Sequence, residues 1–268
     1  MHKHLFKIFA AVVITATIAA CGTVAITGRK QMLFYSDSEI TSLADQSYSE
    51  FMSTAKVSTN KTQLAMVQQV GKRMTSALES YLKSVDQTNY LEGLNWEYTL
   101  VQNDEANAFC MPSGKIVFYE GIMKYTNTAD FVAVVMGHEI AHAVARHGNE
   151  RMSQEAMVGT IGSVLQQMIS NNASAGTQAL FNVAFGLGGE YGIILPYSRK
   201  HEYEADKIGL IIMAMAGYNV DQAPVFWEKM SSVSSSSTPE FLSTHPSDEN
   251  RIAKIKEVIP EAKTYIKK

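Results

Sequence analysis

Apolar residues recur every three to four positions along most of the chain, which predicts a mainly helical protein. Ser36 or Asp37 can cap a first helix that runs to about Phe51, with Glu39 near position N3. Four further helices are predicted at 62–82, 198–216 with Gly217 as its stop, 221–230, and from Pro246 onward.

Two stretches, Trp96–Val101 and Lys115–Tyr119, have the composition of strands, and the second follows a Pro-Ser-Gly turn. Apolar runs at 156–169 and 179–187 flank a small, polar break at 171–176, and each run is too short or too polar to span a membrane convincingly. These runs fit a mobile lid or a helical hairpin in the core equally well. The pattern therefore predicts an α+β protein that is mainly α-helical and contains a small β-sheet.

The most apolar predicted helix runs from Ala129 to His147, with Asn127 as its N-cap. It contains the sequence His-Glu-Ile-Ala-His at 138–142. His138 and His142 are four residues apart, lie on one face, and can bind the same zinc ion. Polar side chains are costly in a buried helix unless something pairs with them, and zinc is the simplest partner. Glu139 can activate a water for peptide hydrolysis without itself binding the metal.

A hydrolytic zinc site needs a third protein ligand, and the 198–216 helix offers three acidic residues. Glu202 and Asp206 are four residues apart and share a face, whereas Glu204 points elsewhere. Glu202 as the ligand, with Asp206 holding a histidine ring, is one interpretation, and a solvated charged face is the other. His245 follows a serine-rich stretch that is predicted to be a flexible loop, so it can also swing toward the metal.

The first 20 residues have the composition of a targeting segment, with a basic start followed by an apolar run that is short for a spanning helix. Ile18-Ala19-Ala20-Cys21 resembles the lipobox of bacterial lipoprotein signal peptides, which implies cleavage before Cys21 and lipidation of that residue. The next residue is Gly22, whereas lipoproteins that are retained in the inner membrane commonly have an Asp at this position. The resemblance therefore favours a location at the periplasmic face of the outer membrane. Residues 21–35 are then a lipidated tether and 36–268 the catalytic domain. An uncleaved anchor or an ordinary signal peptide is the alternative.

Composition narrows the possible functions. The net charge of −3 and a pI near 6.2, without a basic stripe, give no reason to propose a nucleic-acid partner. Two cysteines, Cys21 and Cys110, are too few for a disulfide framework or a Cys-type zinc site. Cys110 is interpreted as a small buried residue, with a redox-sensitive thiol as the alternative.

Four motifs, in this order, resemble the M48 family of zinc metallopeptidases. They are Asn107-Ala108-Phe109, the 138–142 motif followed by Arg146-His147, Ser198-Arg199 continuing to Asp206, and Thr244-His245-Pro246 with Arg251. The resemblance covers residues 104–251 and is strongest to the periplasmic branch of BepA- and LoiP-like proteases, with LoiP-like lipoproteins the closer match.

The resemblance implies a zincin fold of the gluzincin-like type, with the small sheet next to the metal-binding helix. It implies one Zn²⁺ per chain, held by His138, His142 and Glu202, with Glu139 as the general base. It also implies that Asp206 is a functional neighbour of the site. His245 either assists catalysis or occupies the open zinc position and holds the enzyme latent.

Peptidases of this type bind substrate as an extra strand along a sheet edge. The 115–119 strand is the better candidate for that edge because it leads directly to the metal-binding helix, which makes Ile116 and Phe118 predicted substrate-binding residues. Arg251 is a third predicted substrate-binding residue, because it can donate a hydrogen bond to a substrate carbonyl. A salt bridge within the last helix is an equally good interpretation of Arg251.

The predicted function is a zinc-dependent endopeptidase that degrades unfolded or misassembled cell-envelope proteins in the periplasm, anchored by lipid on Cys21. Outer-membrane proteins and their assembly machinery are the expected partners. The alternative is a chaperone or assembly factor for outer-membrane proteins, with a zinc site that is held shut.

Overall fold

A computed structural model of the protein describes residues 21–158, 178, 198–233, 239–245 and 249–266. The predicted targeting segment lies outside this part of the chain. So do nearly all of the two apolar runs between 156 and 187, most of the serine-rich stretch, and Pro246. The prediction of a lid or a helical hairpin for the apolar runs therefore stays a prediction.

The described residues are mostly helical, and the predicted class of a mainly α-helical α+β protein is confirmed. The helices are α1 (Asp37–Thr54), α2 (Lys61–Ser84), α3 (Ala129–Val144), α4 (His147–Val158), α5 (Arg199–Met215), α6 (Gln222–Val233), α7 (Glu240–Thr244) and α8 (Glu249–Lys263). Single 3₁₀ turns occupy Thr88–Leu91 and Glu120–Lys124. Within the part of the chain that is described, no helix combines the length and hydropathy that crossing a membrane requires.

The predicted tether is instead a folded β-hairpin. Strands β1 (Cys21–Thr23) and β2 (Lys30–Met32) pair antiparallel, and the intervening Val24 and Ala25 are buried in the main core. The prediction of a tether was wrong. A run of small and polar residues does not show that two of its residues pack against parts of the protein that are distant in the sequence.

A three-stranded sheet lies beside α3, in the order β3 (Glu97–Val101), β5 (Lys115–Tyr119), β4 (Ala108–Cys110). Strand β5 pairs parallel with β3 and antiparallel with β4, so it is the central strand. The prediction that β5 provides the open edge was therefore wrong. Ile116 and Phe118 are fully buried in the core and cannot present their side chains to a substrate.

Helix α3 lies at the centre of the protein, packed against α2, α5, α6 and β4. Its crossing with α5 is close because glycines meet there. A Cβ atom at Gly137 would lie 2.9 Å from the carbonyl oxygen of Gly209, and one at Gly209 would lie 2.8 Å from the carbonyl carbon of Gly137. The two glycines thus allow the metal-binding helix to approach the helix that contains the acidic residues.

Both ends of α3 differ from the prediction. The N-cap is Thr128, whose hydroxyl accepts a hydrogen bond from the Phe131 amide at 3.2 Å, so Asn127 is not the cap. The helix ends at Val144, because Arg146 adopts a left-handed conformation with φ +57° and the chain then begins α4. The ion pair of Arg146 with Asp37, at 2.6 Å, stabilises this turn.

Candidate metal centre

Four side chains from three elements converge beside α3. Helix α3 contributes His138 and His142, α5 contributes Glu202, and His245 is the C-terminal cap of α7. One ligand atom from each lies within 4.8 Å of all the others, and all four residues are buried. The structure therefore brings together the three predicted zinc ligands and the predicted fourth residue.

Five of the six distances between the four donors are close to those in a tetrahedral metal shell, with Glu202 measured at either carboxylate oxygen. Nε2 of His138 lies 3.0 Å from Nε2 of His142 and 3.0 Å from Nδ1 of His245. The Glu202 carboxylate lies 3.3 Å from His138, 3.4 Å from His142 and 3.1 Å from His245. Donor atoms at the usual zinc distances in a tetrahedron are about 3.3 Å apart, so the cluster has the right size for that ion.

The chemistry of these donors also fits a metal. Three imidazole nitrogens that face one another bring lone pairs or protons into mutual repulsion, whereas a cation between them satisfies all three. A set of histidine nitrogens and one carboxylate oxygen suits zinc. Burial lowers the pKa of His142 well below its usual value, which keeps that ring in the neutral form that binds metal.

His138 differs from His142 in its charge environment. Burial opposes its charged form, but the nearby carboxylates of Glu202 and Asp206 outweigh burial and raise the pKa of His138 to about 9. Nδ1 of His138 lies 3.0 Å from Oδ1 of Asp206, the contact with a histidine ring that was expected of Asp206. A metal ion would thus take the place of a proton on the other ring nitrogen, and its binding would release that proton.

Glu139 has the position of a general base. It is buried, and burial raises the pKa of its carboxylate. The Cys110 amide donates a hydrogen bond to this carboxylate, and Nε2 of His245 lies 3.4 Å from Oε1. Within the described residues Oε1 accepts no hydrogen bond, so its lone pairs are available to take a proton from a water.

Arg251 is a buried hub behind the cluster. Its guanidinium contacts Asp206 at 2.7 and 2.9 Å and Glu202 at 2.8 Å, donates to the backbone carbonyl of His245 at 3.2 Å, and stacks 3.6 Å above the ring of Trp227. Arg251 is fully buried in this state and its donors are directed at these partners, so its predicted contact with a substrate carbonyl stays a prediction. The acidic partners seen among the described residues, Glu202 and Asp206, lie on α5, so these ion pairs join two helices.

A second buried network extends from the other ligand histidine and was missed in the sequence. Nδ1 of His142 lies 3.0 Å from Nδ1 of His147, and Nε2 of His147 lies 3.0 Å from Glu204. His147 and His201 lie outside the metal group, as predicted. The reason for His147 is different, however, because it begins a new helix and does not continue α3.

Strand β4 is an edge of the sheet among the described residues, and its Cys110 amide contacts Glu139. Phe109 lies opposite Val117 in the β4–β5 ladder, and the flanking bonds join Asn107 to Tyr119 and Met111 to Lys115. The peptide groups of Ala108 and Cys110 therefore face away from β5. The Ala108 amide donates to Oδ1 of Asn107 at 2.9 Å and the Cys110 amide donates to Glu139, so the two carbonyl groups remain for a further strand. A narrow cleft of about 30 Å³ begins near the end of β4 and reaches His142; its walls include Ile40, Tyr90, Leu94, Pro112 and Ala143.

Comparison with known proteins places this geometry in context. The profile of Peptidase family M48 matches residues 63–259, most of the chain. The mitochondrial metalloendopeptidase OMA1 of Arabidopsis thaliana is 38% identical over 164 residues, covering 61% of this chain and 32% of that protein. Human OMA1 is 30% identical over 246 residues, covering 88% and 45%. The beta-barrel assembly-enhancing protease of Escherichia coli K12 is 33% identical over 166 residues, covering 59% and 33%. The chain thus spans a third to about half of these relatives.

Proposed function

The chain belongs to peptidase family M48, and from that premise we propose that it is a zinc-dependent endopeptidase that acts on unfolded or misassembled proteins of the cell envelope. The observation that carries this proposal is the position of Glu139, a buried carboxylate beside a cluster of three histidines and Glu202 with the dimensions of a zinc shell.

A bound zinc ion would polarise the scissile carbonyl and lower the pKa of the attacking water. His138, His142 and Glu202 would hold the ion, one per chain. Glu139 takes the proton of the water and returns it to the leaving nitrogen, and its raised pKa suits both steps. Asp206 fixes the ring of His138 through Nδ1, so that Nε2 faces the cluster.

The edge of β4 is the substrate-binding strand in this proposal. The outward carbonyl groups of Ala108 and Cys110 can accept hydrogen bonds from an extended chain, with little demand on substrate sequence, and the Cys110 amide already donates to Glu139. Because a folded protein rarely offers a free extended segment, unfolded proteins are the expected substrates.

The proposed location is the periplasmic face of the outer membrane, with a lipid on Cys21. The lipobox-like sequence before Cys21 supports it. The name of the Escherichia coli relative, a beta-barrel assembly-enhancing protease, also supports a cell-envelope role and assembly machinery as a partner. The OMA1 relatives are mitochondrial by name, so the family alone does not favour either compartment.

We further propose that the described state is latent. A catalytic zinc keeps one position open, but here His245 directs Nδ1 at the cluster as a fourth donor. The α7 segment also approaches the substrate edge, because the amide of Phe241 donates to the carbonyl of Ala106, just before β4, at 3.0 Å. Activity would require His245 to move away.

The same fourth donor favours a second candidate function. If His245 never leaves, the protein would act as a chaperone or assembly factor for outer-membrane proteins, and its zinc would be structural. Extended clients would still bind along β4. The two candidates differ in whether Glu139 is needed.

The test compares wild type, Glu139→Gln, His245→Ala and the double variant on an unfolded protein substrate, with zinc content measured for each. Cleavage by His245→Ala that exceeds cleavage by wild type, and that disappears in the double variant with zinc still bound, would support a latent peptidase. Zinc in all four proteins without cleavage by any would favour the chaperone. Absence of zinc from all four would refute the metal centre.

A further inference from the structure

The N-terminal hairpin is joined to the metal centre through Arg29. The Arg29 side chain is only 16% exposed. Its Nε donates to Glu204 at 2.6 Å, and its two terminal nitrogens donate to Glu150 at 2.9 and 2.6 Å. Thr27, in the same hairpin turn, donates its hydroxyl to the other oxygen of Glu204 at 2.6 Å. Both oxygens of Glu204 are thus held by a segment more than 170 residues away in the chain.

Glu204 leads directly to a metal ligand. Oε2 of Glu204 lies 3.0 Å from Nε2 of His147, and Nδ1 of His147 lies 3.0 Å from Nδ1 of His142. When Nε2 of His142 faces a metal, Nδ1 of that ring carries its proton and donates it to His147. His147 must then carry its own proton on Nε2 and donate it to Glu204. Only one arrangement of protons satisfies the chain, and it orients His142 for the metal.

Arg29 donates to two carboxylates, and each carboxylate pairs with a buried histidine. Only one of these two histidines contacts a metal ligand. Glu150 accepts from Nε2 of His201 at 3.1 Å, just as Glu204 pairs with His147. The rings of His147 and His201 stack with their centroids 4.6 Å apart, and both are buried. His201 is therefore a matched comparison for His147, with the same residue type, burial and kind of partner, but without the contact to His142.

We propose that Arg29 is a positioning residue for the metal centre, acting on His142 through Glu204 and His147. The N-terminal hairpin therefore helps to orient a metal ligand. The inference rests on the proposed metal centre of the peptidase. Lysine should not replace Arg29, because it lacks the planar fork that donates to two carboxylates at once.

The experiment measures metal affinity rather than activity alone. Purified wild type, Arg29→Gln, Arg29→Lys, His147→Gln and His201→Gln are titrated with Zn²⁺ against a chromophoric chelator, and the visible spectrum of each Co²⁺-loaded protein is recorded. Loss of a group behind a ligand weakens metal binding by about 10–100-fold. We expect that range for His147→Gln, about tenfold for both Arg29 variants, and less than about threefold for His201→Gln. The cobalt spectrum should change in the first three variants only.

A milder variant covers the case in which loss of Arg29 prevents folding. Thr27→Val removes only the hydroxyl that donates to Glu204, and it should weaken Zn²⁺ binding several-fold without loss of the fold. Zinc affinity in Thr27→Val and His147→Gln that equals the affinity of His201→Gln would overturn the inference. Zinc binding without cleavage by either wild type or His245→Ala would refute the peptidase alone, and these affinities would still decide the role of Arg29.

Discussion

Replacement of Arg251 by methionine tests the charge balance behind the cluster. Methionine keeps an unbranched apolar stem over Trp227 but removes every donor of the guanidinium. The side chains of Glu202 and Asp206, which Arg251 contacts, are only 1% and 6% exposed. The variant therefore leaves two carboxylates in a buried position without their main counter-charge.

Removal of one partner from a buried ion pair costs about 3–5 kcal/mol, because the remaining charge stays desolvated. We expect Arg251→Met to lower the free energy of unfolding of the metal-free protein by that amount. The loss should be smaller when zinc is bound, since the ion brings two positive charges next to Glu202. By the same thermodynamic cycle, the folded variant should bind zinc at least as tightly as wild type.

The assay is urea unfolding, followed by circular dichroism, of wild type and variant with a chelator and with excess zinc. The control is Arg73→Met. Arg73 is exposed, lies 4.7 Å above the ring of Tyr218, and should contribute less than about 1 kcal/mol. A loss in Arg251→Met no larger than in the control, or an equal loss with and without zinc, would refute this account of the hub.

Three further predictions follow from the packing and the charges. Gly209→Ala should lower the free energy of unfolding by about 1–3 kcal/mol and weaken Zn²⁺ binding, because the new Cβ would press on the backbone of Gly137. Urea unfolding measures the first effect and competition with a chelator measures the second. A variant with unchanged stability and unchanged Zn²⁺ affinity would contradict the prediction. Burial opposes ionisation of Glu150 and Glu204, but hydrogen bonds to buried partners outweigh it and lower the pKa of each to about 2 from 4.5. Their stabilisation is therefore complete above the unfolded pKa and lost as pH falls toward 2, which urea unfolding from about pH 6 to 3 should detect as a steady loss. Burial raises the pKa of the Cys110 thiol, so a thiol reagent should label it only after unfolding; fast native labelling of that peptide in mass spectrometry would refute its burial.

Local spacing was enough to predict the helices and most of the metal cluster. The four-residue interval between His138 and His142 lies within one helical turn, as does the interval between Glu202 and Asp206. Ser198 as the cap of α5, and Gly217 with φ +72° as its end, were also predictable, because both depend on backbone requirements of one or two residues. Features of this kind depend only on residues that are close together in the sequence.

The order of the strands and the groups behind the ligands required the tertiary structure. Strand β5 became the central strand because β4, too short for a clear pattern, pairs on one side of it. Arg251 was predicted to bind a substrate carbonyl or to form a salt bridge within its own helix, whereas its contacts with two buried carboxylates of α5 became visible only in the folded chain. Arg29 lies among small and polar residues that predict a tether, and its two partners are 121 and 175 residues away. The sequence by itself determined which side chains lie on the same face of a helix. Only the folded chain decided which distant charged residues pair with them, because contacts between residues so far apart in the chain produce no regular spacing in the sequence.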